Sequence, residues 1–368
     1  MTFGNKGRYL CRDMHLRAHL RSPFGEQLTL DAADGVWAEP SGTPESLLGE
    51  DSWALPGLID AHAHLAKPTM DLLPGDYDGA VTRAREALAA GVMLIIDKGW
   101  KDFTVLDVID QVPLAERPDI EAAGLMHSVE GGYYEGFATL IESGAIETFV
   151  AEAADHGRGW VKLVGDWPRK GVGPITNFSE AELELAVETA AVGGARVSVH
   201  TLAREVPAMA VRAGVQSIEH GLFLSTDDLE VLGQRQGIWV PTLVQVEAII
   251  SQIGAGSSGG RLLAEGFENA VGLLNDAVDA GVHVLAGTDL AVATDEVALE
   301  AVRMWEMGMP AAEAVRAVST AGLAATGRPV QFEGGSPADA VFFAENPIVN
   351  PKVLAYPEVV IRHGRIVR

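Results

Sequence analysis

Between residues 54 and 327, short apolar runs alternate with longer stretches in which apolar residues recur every three or four positions. That is the pattern of strands taking turns with amphipathic helices. The apolar runs are Leu55–Leu65, Val92–Asp97, Ile120–Met126, Trp160–Val164, Arg196–His200, Val215–Glu219, Ile238–Pro241 and Val282–Thr288. The helical spacing predicts Asp78–Ala90, Phe103–Gln111, Ser143–His156, Ser179–Val192, Ala203–Ala213, Thr226–Gln236 and Leu262–Ala280, with Glu296–Met307 and Pro310–Thr326 after the last strand. Gly91 ends the first of these helices, and Ser179 followed by acidic residues opens the fourth with an N-cap signature. Such βα units build a parallel sheet, and eight of them make an α/β (β/α)8 TIM barrel of about 250 residues.

The ends of the chain follow a different rule. From Tyr9 to Leu20 the even positions Leu10, Met14, Leu16, Ala18 and Leu20 are apolar, and Asp13, His15, Arg17 and His19 fill odd ones. This is a strand with one wet face, which turns His15 and His19 toward solvent. Gln27–Ala32 alternates likewise, Asp34-Gly35 reads as a hairpin turn, Val36–Ala38 as its return, and Ser41–Gly49 as a polar link. In the tail, Gly334–Phe343, Asn346-Pro347 and Val359–Val367 read as short strands and turns. The two ends are expected to pair into a small β-sandwich, so that 1–53 and 328–368 are its halves and 54–327 is the barrel. Gly254–Gly260 is rich in Gly and Ser and is expected to be a mobile loop at the mouth, placed to act as a lid.

Composition narrows the partners. With 27 Lys and Arg against 51 Asp and Glu, the net charge is −24, which leaves no basic footprint for nucleic acid or an anionic membrane. No apolar run reaches the length of a spanning helix, and Arg8, Arg12, Asp13 and Arg17 stand where a signal peptide needs an apolar core. A cytoplasmic protein acting on a small molecule is expected, with a homo-oligomer as a further expectation. Cys11 is the only cysteine, so no intrachain disulfide forms and any metal is held by His, Asp, Glu or a modified side chain.

Candidate chemistry collects at strand ends. The first barrel strand closes on His62 and His64, which a period of two puts on one face as a pair of imidazoles suited to zinc, iron, nickel or copper. A barrel carries its site at the carboxyl ends of its strands. The polar residues there are His62 and His64 on strand one, Lys162 on strand four, His200 on five, His220 on six and Asp289 on eight. A lysine between Val161 and Leu163 must lose its charge or find a partner, such as Asp166. His127, Tyr133 and Tyr134 follow strand three, Lys98 and Trp100 follow strand two, and Trp167 and Arg169 follow strand four. Of these, His127, Tyr133, Tyr134, Trp100 and Arg169 are candidate substrate contacts, with Arg169 suited to a carboxylate. His156, His283 and His363 read as structural.

Pro56-Gly57, Asp60 and the two histidines together resemble the first strand of the amidohydrolase superfamily. Val-Lys-Leu-Val, Val-His-Thr, Ile-Glu-His-Gly and Gly-Thr-Asp extend the resemblance over nearly the whole chain. It implies two divalent transition metal ions, zinc foremost: His62, His64 and Asp289 on one, His200 and His220 on the other, and Lys162 bridging them with a CO2-derived carboxylate. Without that carboxylate the site would be mononuclear, as in the imidazolonepropionase-like branch. The implied activity, similar to the imidazolonepropionase and Xaa-Pro dipeptidase-like branches, is hydrolysis of a small amide-type C–N bond in a cyclic amide, N-acyl amino acid or dipeptide. Water on such metals titrates near ~7, so hydroxide is the expected nucleophile, and Asp289 takes its proton and returns it to the leaving nitrogen. A lactone, carbamate or phosphotriester is the alternative substrate, and a metal-retaining relative that binds without turnover the alternative class. A deaminase fits less well, because Glu219 directly precedes His220 and no separate acid stands in the expected place. Asp97-Lys98-Gly99 departs from the Arg-Asp-x-Gly-like turn of relatives.

Overall fold

The computed structural model describes residues 15–68, 74–142, 144–169 and 172–368. Residues 9–14 of the first expected strand, Cys11 among them, and Ser143 at the expected start of the third helix lie outside the described residues.

The helix–strand alternation is as the pattern predicts. In chain order it runs β1 (Leu58–Ala63), α1 (Tyr77–Ala89), β2 (Val92–Asp97), α2 (Thr104–Gln111), β3 (Asp119–Ala122), α3 (Ile146–His156), β4 (Trp160–Val164), α4 (Glu180–Val192), β5 (Arg196–Thr201), α5 (Val206–Arg212), β6 (Ser217–His220), α6 (Thr226–Gln234), β7 (Ile238–Val240), α7 (Leu243–Ile253), α8 (Ser258–Asp279), β8 (His283–Val284), α9 (Ala298–Glu306), α10 (Ala311–Ala317) and α11 (Thr320–Ala325). Side chains cap the helices where the sequence allows. Ser179 with Glu182 and Ser225 with Asp228 form reciprocal capping boxes, and Asp76 accepts from the Gly79 N–H.

All eight strands run parallel to their neighbours, in two hydrogen-bonded sheets. One is β1-β2-β3; the other runs from Thr139–Leu140 and Met126–Ser128 through β4, β5, β6 and β7 to β8. The expected strand 120–126 is therefore split, its first part pairing with β2 and its second with β4. Where the sheets meet, Ala122 and Arg158 exchange backbone hydrogen bonds of 3.1 and 2.7 Å. At the other edge the Ala61 N–H donates to Ala286 O at 2.9 Å and the Asp289 N–H to His62 O at 2.7 Å. β8 is shorter than predicted because Leu285–Thr288 lies outside the ladder, although Leu285 N–H still reaches Trp239 O at 2.9 Å.

The apolar faces of the helices and strands share one large core, with Leu55, Val105, Val161, Val199, Ile218 and Met304 among its buried residues. A second core has Leu16, Leu20, Trp37, Phe342 and Ile361 at its centre. It is covered by two four-stranded sheets: Val36–Ala38, Gln27–Ala33, Leu16–Arg21 and Ser46–Leu48 in one, Arg365–Ile366, Val359–Arg362, Ala340–Phe343 and Trp53–Leu55 in the other.

Three expectations change. The link 41–49 contains the strand Ser46–Leu48, which pairs parallel with Leu16–Ala18 because Leu48 joins the second core. His15 and His19 are half-buried, held 2.8 Å from Asp31 and 2.7 Å from Thr29. Gly254–Gly260 is a short turn running into the first residues of α8: Gly254 ends α7, and Ser257 caps α8 by accepting from the Gly260 N–H at 2.9 Å. Among the described residues no helix is long and apolar enough to cross a membrane.

Candidate metal centre

β1 delivers His62 and His64 to one buried face, and the turn after β8 brings Asp289 against them. One donor atom from each of the three lies within 4.8 Å of the others. Asp289 Oδ1 is 3.5 Å from His64 Nε2 and 3.8 Å from His62 Nε2, while its Oδ2 is 3.9 Å from His220 Nε2. At the end of β6, His220 Nε2 lies 3.0 Å from His200 Nδ1 of β5. Lys162 of β4 is 1% exposed and its Nζ has no hydrogen-bond partner among the described residues. An unpartnered buried amine is costly, so this atom is the natural place for a group that the chain does not itself supply.

Burial decides the protonation states. Desolvation lowers His64 and His220 to about 3 and holds His62 and His200 well below the ordinary histidine range. All four imidazoles are thus neutral, the form that binds metal. Desolvation also brings Lys162 down to about 8, outweighing the attraction of Glu219. It lifts Asp289 to about 7 against the pull of Lys162; a dication alongside would favour the ionised carboxylate.

Behind the candidate ligands, three of the four rings, all but His200, are held through their other nitrogen. His64 Nδ1 donates to Gly99 O at 2.7 Å, His220 Nδ1 lies 2.6 Å from Thr242 Oγ1, and His62 Nδ1 lies 2.7 Å from Glu219 Oε2. Nε2 of each therefore faces the centre. Asp60 braces β1 against the loop after β8, accepting from His62 N, Thr288 N and Thr288 Oγ1. Three non-glycine residues here, His220, Thr242 and Asp289, have φ of 63°, 47° and 51°. Left-handed backbone at such residues is strained and tends to collect at functional sites.

That strain explains what sequence reasoning missed. Strict alternation sends Glu219 outward if His220 points in. The left-handed turn at His220 breaks the alternation, so Glu219 is fully buried beneath the ligands, facing Lys98 of the turn after β2 at 2.9 Å. Ser198 and Ser217 also donate to Glu219 Oε1, at 2.7 and 2.5 Å. The available signal was the inward pair Ser217 and Glu219, polar residues two apart on a buried strand. Asp166 is not the partner of Lys162; it accepts from Leu202 N and Ala203 N at 2.9 and 3.0 Å.

Above the ligands opens a cavity of about 1120 Å³, lined by His62, His64, Lys162, His200, His220 and Asp289 together with Tyr133, Tyr134, Trp167 and Arg169. Helices α7 and α8 supply a mixed wall, with Ile249, Ile253 and Leu262 beside Gln245 and Gln252. Helix α7, absent from the sequence-based expectation, is thus part of the site. Tyr133 packs edge-on to Trp167 at 4.5 Å and lies 5.9 Å from the His200 ring. Arg169 has one long bond, 3.4 Å to Asn177 Oδ1, an unpartnered Nε, and no carboxylate within ion-pair distance among the described residues.

Two of the expected substrate contacts lie elsewhere. Trp100 backs His64 at 6.0 Å and Phe137 at 4.9 Å instead of lining the cavity. His127 faces α3, with Phe149 at 6.3 Å. The register gives the reason: Met126 pairs with inward-facing Lys162, so its neighbour His127 must face out, as Leu163 does.

The amidohydrolase family model matches residues 53–367. An uncharacterized protein of Mycobacterium tuberculosis is 31% identical over 366 residues, covering 96% of each chain. Ochratoxinase of Aspergillus niger is 29% identical over 198 residues, 50% of this chain and 40% of that one. Its crystal structure superposes with a TM-score of 0.80 at 20% identity, covering 96% of this chain and 95% of that one. A Xaa-Pro dipeptidase with bound methionine in its active site superposes with a TM-score of 0.79 at 21% identity, covering 95% and 98%. The chain belongs to the amidohydrolase family and is a hydrolase.

Proposed function

We propose that this hydrolase cleaves the amide bond of a small molecule bearing a free carboxylate, an N-acyl amino acid or a dipeptide, at a centre of two divalent ions. The observation that carries the reading is the convergence of His62, His64 and Asp289 within 4.8 Å beside a buried, unpartnered Lys162 amine. In this assignment His62, His64 and Asp289 hold one ion and His200 and His220 the other, with zinc the best match to the neutral imidazole set. Ions held there would make hydroxide available at neutral pH and polarise the scissile carbonyl. Lys162, deprotonated, would add CO2 at Nζ with loss of one N–H proton, and the resulting N-carboxylate would supply a further ligand to ions held there. Asp289 accepts the proton of the attacking water and passes it to the leaving nitrogen. Arg169 receives the substrate carboxylate, the aromatic wall of Tyr133, Tyr134 and Trp167 flanks the scissile bond, and the α7–α8 wall takes an apolar side chain. The names of the structural relatives, a Xaa-Pro dipeptidase and ochratoxinase, agree with amide-type substrates.

The scaffold belongs to the same proposal: the chain from β1 to α11 forms a (β/α)8 barrel, and the described residues before it, through the strand Trp53–Leu55, form a β-sandwich with 328–368, so that the first half of the sandwich runs two residues past the expected boundary at 53. The hydrogen bonds from Ala61 to Ala286 and between Ala122 and Arg158 support the first, and the core shared by the two terminal sheets supports the second. The test of function is the metal content of protein purified without chelator, beside Lys162→Ala, with hydrolysis of N-acyl amino acids measured on both. Two ions per chain falling to one or none, with loss of hydrolysis, is expected. One ion in both proteins removes the carboxylated lysine, and none in either overturns the metal-centred reading.

A further inference from the structure

Glu219 and Lys98 form a buried ion pair under the metal ligands that the proposed chemistry does not use. Both are fully buried. They come from different strands of the scaffold, Glu219 from β6 and Lys98 from the turn after β2, and Lys98 Nζ also lies 4.7 Å from the centre of the Trp160 ring. The two carboxylate oxygens of Glu219 have separate duties. Oε1 collects three donors, Lys98 Nζ at 2.9 Å, Ser198 Oγ at 2.7 Å and Ser217 Oγ at 2.5 Å. Oε2 takes none of these and lies 2.7 Å from His62 Nδ1, an ion-pair contact without the geometry of a well-formed hydrogen bond. A carboxylate only accepts, so the nitrogen facing it must carry the proton.

From this we infer that Glu219 is a positioning residue that fixes His62 as its Nδ1–H tautomer, leaving the Nε2 lone pair aimed at the metal, and that Lys98 fixes which oxygen of Glu219 does so. The inference rests on the metal-centred reading above. A carboxylate behind a metal-binding imidazole orients the ring and raises its basicity. Lys98 supplies the second half of the device. An ammonium has donors and no acceptor, so whatever occupies position 219 must turn an acceptor toward it.

This logic makes an opposite prediction for two nearly isosteric variants. In Glu219→Gln the amide oxygen must face Lys98, which places the amide NH2 against His62 Nδ1. That NH2 donates, so His62 is driven to the Nε2–H tautomer, whose proton occupies the metal position. In the double variant Lys98→Met with Glu219→Gln, the serine hydroxyls can rotate to donate or accept, the amide is free to flip, and its oxygen can face His62 again. A residue that merely fills space would give no such reversal.

The experiment measures zinc affinity by competition with a chelating dye, together with the ring 15N shifts of His62 in metal-free protein, assigned by their loss in His62→Asn. The wild-type chain is expected to show the Nδ1–H tautomer. Glu219→Gln should show Nε2–H and bind zinc about 10–100-fold more weakly. The double variant should regain Nδ1–H and most of the affinity. An Nε2–H tautomer in the wild-type protein overturns the inference without any variant, even if Glu219→Gln fails to fold. Unchanged affinity and tautomer in Glu219→Gln, or equal loss in the double variant, also overturns it. Failure of wild-type protein to bind zinc at all strikes instead at the metal-centred reading, and the tautomer measurement keeps the two apart.

Discussion

At the amino ends of the parallel strands, Glu121 accepts from Trp160 Nε1 at 2.8 Å, Arg196 Nη2 at 2.5 Å and Arg328 Nη1 at 2.6 Å, and Arg362 is shared between Asp339 and Asp119 at 2.7 and 2.8 Å. At the carboxyl ends, Lys162 Nζ, His200 Nε2 and Arg169 Nε have no hydrogen-bond partner among the described residues. The amino ends use charge to join strands and the C-terminal tail to one another. The carboxyl ends hold neutral imidazoles, a low-lying lysine and strained backbone in a cavity, at a cost in stability that ligands would offset. We therefore expect stability and function to be divided between the two ends, so that each can be damaged with little effect on the other.

The largest effect is expected at the carboxyl ends. Asp289→Asn removes the proposed proton carrier while nearly preserving shape, and the hydrolytic rate should fall by about 10²–10⁴, with the thermal midpoint of the metal-free protein unchanged or raised, because a buried carboxyl lifted to about 7 is replaced by a neutral amide. A rate within the wild-type range would remove Asp289 from the chemistry. Next in size is Arg169→Met, which should raise KM for a carboxylate substrate by about 10–100-fold, the worth of hydrogen bonds to a charged group. The matching carboxamide substrate should show no such change. If both substrates suffer equally, the guanidinium shapes the loop and does not receive the carboxylate.

How much of this was visible beforehand differs between the two ends in the same way. His62, His64, Lys162, His200, His220 and Asp289 were picked out because strand ends are where a barrel would place functional side chains, and the structure brings the six to one cavity. The Glu219–Lys98 pair was hidden because reading it requires knowing that His220 leaves the strand in a left-handed turn. His127 was misplaced because facing is set by register with β4, which local pattern does not contain. Helix α7 was lost because its Gly/Ser-rich end looked like a loop, although Glu300 of α9 accepts from Leu243 N and Val244 N to cap its start. Caps supplied from distant segments leave no local trace. Of the helices with local caps, those at Ser179 and Ser225 began where predicted to within a residue, whereas α8, capped by Ser257, began four residues before the predicted Leu262 because its Gly/Ser-rich first turn hid the cap.

The amino ends give the third expectation. Glu121→Gln leaves Arg196 and Arg328 with a neutral partner that has one acceptor oxygen in place of two. It should cost about 1–3 kcal/mol of stability in denaturant unfolding and leave kcat and KM unchanged. A loss of activity without a loss of stability would mean that the amino ends are coupled to the site after all.

The smallest effect tests whether the carboxyl ends carry an electrostatic cost beyond the ligands themselves. Asp166, buried between β4 and the loop after β5, accepts two backbone hydrogen bonds through Oδ2, while Oδ1 has no partner. Desolvation lifts its carboxyl to about 7 against those bonds. The folded state therefore binds more protons than the unfolded chain between the unfolded carboxyl range near ~4 and about 7. In that window the slope of unfolding free energy with pH is negative, so this group's contribution to stability is fully present at acid pH and is lost as pH rises through the folded value. Asp166→Asn keeps the acceptor that Leu202 and Ala203 use and puts its NH2 where Oδ1 had no partner, so nothing is broken. The variant should match the wild-type protein near pH 4, exceed it at pH 8, and show a flatter stability profile between them. Parallel profiles would place Asp166 in contact with enough water to ionise freely, and would leave the cost of the carboxyl ends with the metal ligands alone.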